Sequence, residues 1–155
     1  MTLQEAEARR AMLLELAERC EKATGPDRMI DALVTKHFRL YRSLTTPIAD
    51  DRWIELREAD GRLLMHVPGD VCAPYGYRGL PFSSSLDAAM SLVPENAFWR
   101  LGHDGDGADP SEFRAQIIVP MVGGNDPRGI AIASTPALAL TAAALRARAS
   151  QEQSS

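Results

Sequence analysis

The sequence predicts an α+β protein with a largely antiparallel sheet. Three observations lead there: helical periodicity at both ends of the chain, apolar runs of strand length between them, and hairpin turns joining consecutive runs where crossover helices would otherwise stand.

The elements follow in order. Thr2 to Lys22 holds helix formers throughout, and Leu13, Leu16, Ala17 and Cys20 repeat at i, i+3, i+4, i+7, which puts them on one face. In "TGPDRMIDALVTKHFRLY", Thr24 is read as a cap, Pro26 suits a first turn and Asp27 completes a capping box. Ile30, Leu33, Val34, His37, Phe38 and Tyr41 continue the helical spacing, so His37 is expected on or beside a buried stripe. Pro47 and its turn-forming neighbours end this region. Trp53 to Leu56 and Leu63 to Val67 then flank Asp60-Gly61, a hairpin signal. "PGDVCAPYGYRGLP" concentrates proline and glycine and reads as a long loop carrying Tyr75 and Tyr77.

A short helix follows, with Ser83 or Ser84 as cap, Asp87 complementing the dipole, and Leu86, Ala89, Met90 and Val93 on one face until Pro94 stops it. Ala97 to Leu101 and Phe113 to Val119 have strand character, and Ile130 to Ala133 gives a further strand after a turn over 123–129. The last helix has Thr135 as cap, Pro136 at its first position, and Arg146 and Arg148 near its C-terminus. One domain over 1–150 is expected, with a frayed polar tail at 151–155.

Composition narrows the function. The chain of 155 residues is 45% hydrophobic and 25% charged, ordinary for a folded domain. Its net charge is -4 and its 17 basic residues are scattered, which argues against a dedicated duplex-nucleic-acid binder. Cys20 and Cys72 fit reduced thiols. The start "MTLQEAEARR" does not read as a secretory or transit signal, and no apolar run approaches the ~18 residues of a membrane span. A cytoplasmic location with no membrane partner is expected.

Few motifs carry chemistry. His103, Asp104, Asp106, Asp109 and Glu112 are all metal-ligand types, yet the EF-hand spacing fails because Ala108 and Asp109 stand four and five residues after Asp104. Zinc would need His66, Cys72 and His103, or Cys20, to converge without any close-spaced pair. Cys72 and Ser83 to Ser85 lack a nucleophile motif, and "GGND" at 123–126 lacks the lysine and helix of a phosphate loop. Tyr75, Tyr77 and Arg78 remain as the ligand-binding candidates, because aromatic faces and a guanidinium can stack on a base or clamp a phosphate. No catalytic residue, metal or cofactor is assigned.

Taken together, "PFSSSLDAAMSLVPENAFWRLG" and "STPALALTAAALRARA", with the entry at Ala23 to Arg28, resemble the phage ABA-sandwich domain, a group of small phage and prophage proteins. The resemblance covers most of the chain in patches and is weakest over Thr46 to Leu80. It implies an α-β-α layered sandwich encoded by a phage or prophage, and it brings no catalytic residues. The segment from Asp51 to Gly79 looks like an elaboration where an individual function could reside.

The resulting expectation is a non-enzymatic phage accessory protein, acting in counter-defence in the cytoplasm of the bacterial host. It would bind a host protein or sequester a small nucleotide signal, and it would form a homo-oligomer. One alternative is an assembly module acting by self-association through a sheet edge or the alanine-rich last helix. A further one is a divalent-metal-dependent hydrolase built on Asp104, Asp106 and Asp109.

Overall fold

In chain order the elements are α1 (Leu3–Lys22), α2 (Arg28–His37), β1 (Ile54–Arg57), β2 (Arg62–Met65), β3 (Tyr75–Arg78), α3 (Leu86–Met90), β4 (Phe98–His103), β5 (Phe113–Ile118), β6 (Arg128–Ala133) and α4 (Pro136–Ser154). They come from a computed structural model that describes residues 2–38, 54–57, 62–65, 75–78, 80–103 and 111–154. The strands form two three-stranded antiparallel sheets, ordered β1-β2-β3 and β4-β5-β6, and helices pack on them in an α+β layered fold.

The expected single domain is divided into two compact units, one of residues 1–26 with 82–155 and one of residues 27–81. The second interrupts the first, so the first unit's core is assembled from both ends of the chain.

In the first unit α4 is the central layer. Ala137 to Leu145 are all buried, because alanine and leucine on every side suit a helix enclosed by neighbours. One side meets β5 and β6, and another meets α1 and α3. Thr135 Oγ1 accepts from the Leu138 amide at 3.2 Å, the expected cap. The helix runs on to Ser154, so the tail expected to fray is helical to that residue and Arg146 and Arg148 stand well inside the helix. Their charges are used laterally: Arg146 Nη1 donates to the Ile130 carbonyl at 2.8 Å and Arg148 Nε to the Leu92 carbonyl at 2.7 Å.

α1 begins with a capping box. Thr2 Oγ1 accepts from the Glu5 amide at 3.2 Å and Glu5 Oε2 accepts from the Thr2 amide at 2.7 Å. Leu13, Leu16, Ala17 and Cys20 are its buried stripe, so the Cys20 thiol is a core group. α1 runs antiparallel to α4, with Arg9 3.5 Å from Glu152 at one end and Ser134 Oγ donating to the Ala23 carbonyl at 2.8 Å at the other. The short α3 is capped by Ser85, whose Oγ accepts from the Ala88 amide at 3.3 Å, rather than by Ser83 or Ser84. Ser83 is instead buried beside Phe82, whose carbonyl accepts from Thr141 Oγ1 at 3.0 Å.

In the second unit α2 packs against β2 and β3. Its N-cap is Asp27, which accepts from the Met29 and Ile30 amides at 2.8 and 3.2 Å, so the helix begins after Asp27 and not at the Thr24 cap. A carboxylate facing two free amides and the positive end of the helix dipole explains the shift. Thr35 Oγ1 donates to the Asp31 carbonyl at 2.7 Å and accepts from the Leu80 amide at 2.9 Å. His37 is half-buried, its ring edge-on to Phe38 with centroids 4.9 Å apart.

The hairpin expected around Asp60-Gly61 has its two strands, with Arg57 opposite Arg62; the turn itself lies outside the described residues. The long loop expected to follow contains a strand, β3, with Leu63 opposite Tyr77 and Met65 opposite Tyr75. Tyrosines at alternate positions suit a strand, a signal that the surrounding glycines and prolines obscured.

Candidate functional site

The β4–β6 sheet has two unlike faces, and its register assigns every position. On one face Ile117 pairs with Trp99 and Gly129, Ala115 with Leu101 and Ala131, and Phe113 with His103 and Ala133. Most of these are buried under α4, and small residues on β6 let the helix approach. The His103 and Phe113 rings lie 4.7 Å apart across the strands.

On the other face Ile118 pairs with Phe98 and Arg128, Gln116 with Arg100 and Ile130, and Arg114 with Gly102 and Ile132. This face is open: Phe98 is 70% and Ile130 42% exposed, and Arg100, Arg114 and Arg128 are exposed too. No strand residue on it is acidic. Three guanidinium-bearing positions therefore surround Gln116, each roughly 8 Å or less from it along, across or diagonally between the strands. Among the described residues Arg100 and Arg128 have no ion-pair partner.

A shallow hollow of 320 Å³ lies at the β4 end of this face, lined by Arg100, Leu101, Gly102, His103, Arg114 and Gln116. Gly102 keeps its floor low, since no atom lies within 4 Å of where its Cβ would be. Two guanidinium groups offer planar, forked donors suited to phosphate or carboxylate, and the Gln116 amide can both donate and accept.

The sequence reading did not find this set. Its signal is one arginine in each strand, R-x-G in β4, R-x-Q in β5 and R-x-I-x-I in β6. Only the strand register brings them together.

The expected ligand-binding residues stand elsewhere, on β3 of the second unit. Tyr75, Tyr77 and Arg78 belong to one short strand, paired in register with Met65, Leu63 and Arg62 of β2. Asp104, Asp106, Asp109, His66 and Cys72 lie outside the described residues. Among the described residues no three His, Cys, Asp or Glu side chains converge as a metal site. Likewise, no helix among them is long and apolar enough to cross a membrane. α4, expected as a possible self-association surface, is buried along most of its length by its own chain. Compared with family models, curated proteins and solved structures, the chain matches none.

Proposed function

We propose that this protein is a non-enzymatic accessory protein of a phage or prophage that sequesters a small phosphate-bearing ligand, a nucleotide signal, on the open face of the β4–β6 sheet. The observation that carries the reading is the set of Arg100, Arg114 and Arg128 around Gln116 on one exposed face, with Arg100, Arg114 and Gln116 lining the hollow. The phage origin rests on the resemblance of the capped α3 segment and the Thr135-Pro136 helix entry to the phage ABA-sandwich domain. A role in counter-defence in the host cytoplasm follows from that origin and from ligand capture without turnover. Tyr75, Tyr77 and Arg78 on β3 of the second unit are a separate candidate set, since tyrosine and arginine are residue types able to stack on a base.

Thermal denaturation against a panel of linear and cyclic mono- and dinucleotides tests the reading. At a hundredfold excess over Kd, a bound nucleotide raises Tm by about 5 °C or more. Arg100→Glu with Arg114→Glu abolishes that rise while leaving the circular dichroism spectrum unchanged. Tyr75→Ala with Tyr77→Ala reports separately on the second set. If no nucleotide shifts Tm, and denatured protein releases none, nucleotide capture is wrong and an acidic surface of a host protein becomes the partner to seek.

A further inference from the structure

The two edges of the β4–β6 sheet are treated differently. Along β6, Glu21 Oε2 accepts from the Ile132 amide at 3.1 Å, and Arg146, itself paired with Glu21, donates to the Ile130 carbonyl at 2.8 Å. This ion pair closes an edge that would otherwise offer free donors and acceptors to another strand.

The same bonds fix the phase of the ladder. Ile130 and Ile132 turn their main-chain groups away from β5, so Gly129, Ala131 and Ala133 bond to it. Arg114, Gln116 and Ile118 of β5 then bond to β4, through Gly102, Arg100 and Phe98. Trp99, Leu101 and His103 are left with their amides and carbonyls pointing out of the sheet. Among the described residues no group caps them, in contrast to β6. The strand's side chains are open as well, with Phe98 70% and Trp99 47% exposed.

We infer that β4 pairs antiparallel with β4 of a second copy, about a twofold axis at Leu101, joining two three-stranded sheets into one. The register is self-complementary. Leu101 lies opposite Leu101 of the second copy and Trp99 opposite His103, so every outward amide and carbonyl of these residues finds a partner. Arg100 falls opposite Gly102 of the second copy, where the missing side chain leaves space. An axis one residue earlier would set Arg100 against Arg100, which like-charge repulsion disfavours. The pairing does not depend on the nucleotide reading, because it uses the edge of the sheet rather than its open face.

Sedimentation velocity and light scattering of the full chain test it. A mass twice the 16.9 kDa of the chain is expected. Leu101→Pro removes an outward amide that makes no bond within the protomer, and it should give a monomer with unchanged circular dichroism. Gly102→Arg sets two arginines opposite each other and should weaken the dimer about tenfold; adding Arg100→Glu should restore it. A wild-type monomer at millimolar concentration overturns the inference. So does a dimer indifferent to Gly102→Arg, and this second variant decides the matter if Leu101→Pro fails to fold.

Discussion

Gly129 of β6 lies directly beneath the Ala143 carbonyl of α4: a Cβ at position 129 would stand 1.9 Å from that oxygen and 2.6 Å from the Ala147 nitrogen. Main chain meets main chain here, with no flexible side chain to move aside. Gly129→Ala should therefore push the central helix off the sheet and cost about 3 kcal/mol. Gly102→Ala, with nothing within 4 Å of the added methyl, should change stability by less than about 0.5 kcal/mol. Urea denaturation of the two variants checks the contrast; equal effects would refute the packing argument.

Glu21 joins three elements, accepting from the Ile132 amide and pairing with Arg146, with both side chains about a quarter exposed. Glu21→Ala should cost about 2 kcal/mol, since it leaves a charged group and an amide without their partner. In a double-mutant cycle with Arg146→Ala the coupling should be about 1 kcal/mol. A coupling near zero would mean that the pair only decorates the edge of β6.

Burial lowers the Arg148 pKa from its ordinary value through desolvation of the cation. The group is a base with a lowered folded-state pKa, so the unfolded chain holds its proton more tightly. The resulting penalty is constant at every pH below the folded pKa and fades only as pH rises through the strongly alkaline range. Arg148→Ala deprives the Leu92 carbonyl of its donor and should cost about 2 kcal/mol, with no dependence on pH between about 5 and 9. A gap that varied across this window would show that another titrating group is coupled to the site.

Local signals in the sequence are legible where they are chemical. Thr135 and Pro136 start α4 as their residue types require, and Leu13, Leu16, Ala17 and Cys20 form the buried stripe that their spacing implies. The choice among nearby cap residues is less legible: Asp27 caps α2 in place of Thr24 because its carboxylate faces two free amides, and Ser85 caps α3 in place of Ser83 and Ser84. β3 was hidden by the glycines and prolines around Tyr75 and Tyr77. The division into two units could not be seen, since nothing local marks 27–81 as interrupting a core made from both ends. The arginine face was the least legible, because Arg100, Arg114 and Arg128 are far apart in sequence and meet only through register.

The most direct test compares small molecules carried by purified wild-type protein with those carried by Arg100→Glu/Arg114→Glu, using native mass spectrometry followed by denaturation. A phosphate-bearing species is expected on the wild type and none on a variant that keeps its fold. A bound species that survives both substitutions, or a wild type that neither carries nor takes up any nucleotide, would contradict it.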